Sequence, residues 1–248
     1  MVTTSLIEMP LIFALKLAVL YLAGSYAMAR MARLLGFRRG GAGLGRVAFY
    51  LLVFPGVTLH EAAHYLACLL TGTRVLRFVP FWPHRSASGR LLLGYVRHES
   101  RPFPVKALIG LAPIVLNPLG ILLVSALFTP LTLAEVTDPQ FEVIKEGILT
   151  SGFLTGRPLV AATWVYLSLS FALGGVTSRE DLSSVPAALL FFGGGVFLVG
   201  FLRGGLESTI TGAVYDLSAL AVRMYSLPAT VAVAAAVMIA FWGRTGGR

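Results

Sequence analysis

The chain has 248 residues, of which 56% are hydrophobic and only 12% charged, and its mean hydropathy is +0.82. That composition excludes an ordinary soluble domain and a disordered chain, and implies an integral membrane protein built as one helical bundle. The formal charge of +9 would suit nucleic acid in a soluble protein, but the basic residues lie mostly between apolar runs, so anionic lipid headgroups are the expected partner and nucleic acid is not.

No basic leader or small-residue cleavage site precedes the first apolar run, roughly Leu11–Ala29, which is therefore expected to be a retained span. Pro10 opens it, and Lys16 near its start is expected to snorkel to the interface. Arg30, Arg33, Arg38, Arg39 and Arg46 follow, around a flexible Gly40-Gly41-Ala42-Gly43 turn.

The second span, roughly Val47–Leu70, is interrupted by Pro55-Gly56, which should kink it. Thr58 is placed to cap the helical segment beyond. That segment reads Thr58-Leu59-His60-Glu61-Ala62-Ala63-His64-Tyr65. On a helix, His60 and His64 share one face about 6 Å apart. Both imidazoles can then reach one Zn²⁺, with Glu61 beside the open coordination position as general base. A helix that merely carries three polar residues is the bland alternative. It is a poor one within a bilayer, where ionisable groups are expensive and mark function. Cys68, the single cysteine, sits one turn further on and is expected to be a packed core thiol.

Thr71–Lys106 differs in kind. Arg74–Val79 and Arg90–Val96 are short β-rich runs around an Arg85-Ser86-Ala87-Ser88-Gly89 turn, which predicts a small β-hairpin on the membrane face nearest the metal. Its Arg90–Val96 edge could hold an extended peptide by strand addition. His84 and His98 fall here and read as surface residues. The third span, roughly Val105–Phe128, carries Pro113, Asn117 and Pro118 in its middle. Asn117 either makes a helix-packing hydrogen bond or faces a catalytic cavity. Thr129–Arg157 is acidic, a surface segment with a short helix near Phe141–Leu149. Further spans are expected at Pro158–Val176, Val185–Leu202 and Leu227–Trp242, the last with Trp242 as an interface anchor. Leu206–Tyr225, between them, reads as an interfacial or tilted helix. The fold class is thus all-α and polytopic, about six transmembrane helices with a hairpin between the second and third. Residues 1–248 form one domain, with a catalytic core about 47–184.

Two histidines need a third ligand, for which the candidates are Glu180, Asp181, Glu207 and Asp216. At this point the sequence resembles the site-2 protease family of intramembrane zinc metalloproteases. The resemblance is carried by His60-Glu61-Ala62-Ala63-His64, by the stretch through Gly94-Tyr95-Val96, by Ala112-Pro113-Ile114-Val115-Leu116-Asn117, and by an acidic residue after a later span. It implies zinc held by His60, His64 and Asp181, with Glu61 as general base and Asn117 as a cleft residue that positions substrate. Substrates would be membrane proteins or peptides, and the chain would be a multi-pass protein of the cell membrane. The sequence has Glu180-Asp181-Leu182 where the family has Leu-Asp-Gly, and Asn117 falls one residue later than in the family pattern, as in a divergent branch. Two other classes fit parts of the pattern: another membrane zinc hydrolase, such as a prenyl-protein protease with a glutamate ligand, and a non-catalytic transporter or binding protein.

Overall fold

A chain this apolar can satisfy its backbone N–H and C=O groups away from water only within helices or closed sheets. The computed structural model is accordingly mostly helical, and describes residues 8–34, 43–85, 91–132, 135, 153–174, 216, 219–220 and 222–245. In chain order the elements are α1 (Glu8–Leu34), α2 (Leu44–Leu70), β1 (Val75–Val79), β2 (His84–Arg85), β3 (Leu91–Leu92), β4 (Tyr95–His98) and α3 (Phe103–Phe128). A single helical turn at Phe153–Gly156 precedes α4 (Pro158–Gly174), and α5 (Ser226–Thr245) follows.

Leu11–Leu34, Phe103–Phe128 and Val222–Phe241 are long and apolar enough to cross a membrane, and Pro158–Gly174 is apolar but shorter. α2 has the length, 27 residues, but His60, Glu61 and His64 dilute its hydropathy. The expected span at Val185–Leu202 and the short helix near Phe141–Leu149 lie outside the described residues.

α1 packs along α5, while α2, α3 and α4 pack on one another. Phe13, Leu17 and Leu20 of α1 meet Tyr225, Leu227 and Ala232, and a second apolar cluster joins Ala27 and Met31 to Phe49, Val53, Leu173 and Ala235. Apolar side chains fill the interior and also cover much of the outer surface, while a few polar side chains are buried. Asn117, Ser125, Ser168 and Ser170 are buried, whereas Leu15, Leu51, Leu127 and Leu159 stand exposed. Lys16 departs from expectation. Its ammonium turns inward and donates to Val222 O at 2.9 Å and to Ser226 Oγ at 2.5 Å, joining α1 to α5. In apolar surroundings those two acceptors are the nearest substitute for water.

α2 stops where its sequence says it should. Thr71 is the C-cap, and Gly72 follows at φ +62. The Gly72 N–H bonds Leu69 O and the Thr73 N–H bonds Cys68 O, the paired bonds of a Schellman motif. The chain therefore reverses into β1 just beyond His64. β1 pairs antiparallel with β4, with a bulge between Val75 and Arg77, and β2 pairs with β3. The expected single strand over Arg90–Val96 is thus two short strands, parted at Leu93-Gly94. Leu93 O is turned aside to accept from Trp82 N–H at 2.6 Å, and Gly94 is drawn against α2. At the base of the hairpin Arg101 donates to Gly72 O at 2.5 Å and pairs with Glu99 at 2.8 Å.

Candidate metal centre

Pro55 has no N–H, so the carbonyl four residues back, Leu51 O, loses its helical partner. Tyr166 of α4 donates its hydroxyl to that oxygen at 2.7 Å. One residue on, Gly56 N–H donates to Ser170 Oγ at 2.9 Å. A Cβ on Gly56 would collide with Ser170 O and crowd Gly174 Cα. Only glycines at 56 and 174 let α2 and α4 cross at backbone contact. With both freed groups satisfied from α4, α2 continues through the proline. Thr58 consequently lies inside the helix and not at a cap, contrary to the sequence expectation.

One turn beyond this crossing lie His60, Glu61 and His64, buried to 6%, 9% and 9% exposure. The two imidazole centroids are 4.9 Å apart, with the ring planes at 78°. His64 Nδ1 donates to Ile109 O of α3 at 2.9 Å. A carbonyl can only accept, so Nδ1 carries a proton, and in the neutral form of the ring the lone pair is on Nε2. Ile109, Ala67 and Cys68 pack as an apolar cluster beside it, with Cys68 fully buried. The hairpin closes the other side. A Cβ on Gly94 would lie 2.8 Å from Glu61 Cγ and 2.7 Å from Pro80 O, so glycine is what admits the backbone this close to the carboxylate.

Asn117 is 1% exposed on α3. Its Nδ2 donates to Phe171 O at 3.2 Å, in the last described turn of α4. Asn117 Oδ1 has no hydrogen-bond partner among the described residues. The side chain's hydrogen bond therefore joins α3 to α4 and does not reach the motif. His84 Nδ1 donates to Trp82 O and His98 Nδ1 to Glu99 O, both within the hairpin region. Asp181, Glu180 and Glu207 lie outside the described residues, and Asp216 is exposed. Among the described residues no three His, Cys, Asp or Glu side chains converge on one point.

The structure thus assembles His60, Glu61 and His64 on one helix, and adds groups that reading the motif alone did not name: Ile109 O, Gly94, Tyr166 and Ser170. One signal was available. Each helix-interior proline frees the carbonyl four residues earlier, so Leu51 O and Ile109 O can be named from the sequence, though not the side chains that take them. Comparisons of the chain with protein-family models, with curated proteins and with solved structures find no match.

Proposed function

We propose that this chain is an intramembrane zinc-dependent endopeptidase, multi-pass in the cell membrane, that hydrolyses peptide bonds of membrane-embedded or membrane-adjacent substrates. One observation carries the reading. Two imidazoles with centroids 4.9 Å apart share a helix face, a carboxyl group is buried beside them on the same helix, and one imidazole has its Nδ1 committed to a backbone carbonyl. A merely structural pair of histidines has no need of a buried carboxyl group beside them. The many exposed large apolar side chains of the bundle and its three span-length apolar helices support a bilayer setting.

His60 and His64 would hold the zinc through ring nitrogens, with Asp181 as third ligand by the resemblance. The metal, when bound, would supply Lewis acidity toward the scissile carbonyl and a lowered pKa for the attacking water. Glu61 would take that proton and return it to the leaving nitrogen. Gly94 keeps the hairpin backbone against Glu61, which limits the space through which bulk water reaches the carboxylate. A helical substrate must unwind locally, because its carbonyls are otherwise bonded within the helix.

The test is zinc content and cleavage of a membrane-helix substrate for wild type, Glu61→Gln and Asp181→Ala. Glu61→Gln should keep zinc and lose turnover by about 10²-fold or more, and Asp181→Ala should lose zinc. A metal-free wild type, or a fully active Glu61→Gln protein, sinks the reading.

A further inference from the structure

α2 and α3 contain three prolines in their interiors, Pro55, Pro113 and Pro118. Each withholds the N–H that would bond the carbonyl four residues before it, freeing Leu51 O, Ile109 O and Ile114 O. All three oxygens are taken by side chains from other helical segments. Tyr166 donates to Leu51 O at 2.7 Å, Tyr225 to Ile114 O at 2.6 Å, and His64 to Ile109 O at 2.9 Å. Two of these donors are tyrosine hydroxyls, which can do no more than brace the bundle. The third is a motif imidazole.

We infer that Pro113 is a positioning residue for His64. By leaving Ile109 O without its helical N–H, it presents a buried acceptor that selects the Nδ1–H tautomer, in which the lone pair that would ligate is on Nε2. Were residue 113 to have an N–H, Ile109 O would be engaged within α3. His64 would then share a weaker, bifurcated bond. Ile109 is 3% and His64 9% exposed, so water does not replace the lost partner, and the bond is worth more in this setting than at a surface. The consequence for metal binding rests on the proposed function; the tautomer itself does not.

The chain has only four histidines, so the ring nitrogens of the full-length ¹⁵N-histidine-labelled protein can be assigned in detergent without zinc, at a pH well above the ordinary imidazole value of about 6.5. Wild type should show His64 protonated on Nδ1. Pro113→Ala should mix the tautomers and weaken zinc binding by about tenfold or more, as loss of an outer partner to a ligating histidine does. Pro118→Ala repairs the same lesion one step along the helix, where the acceptor serves Tyr225, and should leave both readouts unchanged. The inference is overturned if wild-type His64 is protonated on Nε2, or if Pro113→Ala shifts neither tautomer nor zinc affinity. If wild type binds no zinc, the protease reading falls and the tautomer comparison alone decides the positioning role. If Pro113→Ala does not fold, Pro113→Gly, which also restores the N–H, supplies the same comparison.

Discussion

The α1–α5 pair and the α2–α3–α4 group are both apolar and both buried, yet they are held in different ways. In α1 and α5 the prolines, Pro10 and Pro228, fall in the first turn, where a missing N–H costs no helical bond. Apolar packing joins the two helices, with Lys16 as their polar tie. In α2 and α3 the prolines lie in the interior, and the freed carbonyls are tied across helices by Tyr166, His64 and Tyr225. Apolar contacts tolerate small sliding; a hydrogen bond from a fixed side chain to one carbonyl does not. The group that carries the histidines is thus the one whose helix positions are set atom by atom.

This contrast predicts unequal tolerance. The largest effect should come from Gly56→Leu, which drives a side chain into the α4 backbone and should destabilise the fold by about 3 kcal/mol or more. Gly43→Ala, at a position with open space around it, is the control, and denaturant titration in mixed micelles compares them. If Gly56→Leu is as mild as Gly43→Ala, the close crossing is wrong. Gly94→Ala should come next. It pushes the hairpin off Glu61 and should lower turnover by about tenfold or more, as small misplacements at a reacting group do, while leaving zinc content intact. Steady-state cleavage beside metal analysis checks it.

Tyr166→Phe should cost about 1 kcal/mol by stranding Leu51 O, and Lys16→Met should cost less, since an uncharged flexible side chain of similar length repacks against α5. Equal losses in the same titration would erase the distinction between the two groups. The smallest effect lies outside both. Thr132 donates its N–H and Oγ1 to Glu135 at 2.7 Å each, a capping box that holds this carboxyl below the usual carboxylate range. A depressed folded value means the bond's contribution is present above pH about 4.3, the ordinary glutamate value, and is lost as pH falls through the lower folded value. The protection of the Thr132 amide, its exchange rate relative to an unstructured chain at the same pH, should fall only in that acid window; loss of protection already at neutral pH would refute it.

Much of the helical frame was readable because it depends on local chemistry. Apolar runs bounded by proline and glycine place α1, α2, α3, α4 and α5 within a few residues of their expected ends. Gly72 marks the stop of α2, since only a residue at ease with positive φ closes a Schellman turn. The shared face of His60 and His64 follows from helical periodicity alone. The hairpin was readable as β-rich chain, but not its break at Gly94, where the backbone lies close to Glu61.

What the amino-acid order determined by itself, then, is which stretches are apolar helices, which helix carries the two imidazoles and the carboxylate, and which backbone oxygens the prolines leave open. Those are properties of neighbours one to four residues apart. Only the tertiary structure decided that His64 takes Ile109 O, Tyr166 takes Leu51 O, Lys16 turns toward α5 and Gly94 abuts Glu61. Each joins residues between 33 and 210 positions apart. A freed carbonyl announces that it needs a donor; which donor arrives is settled by how the helices cross.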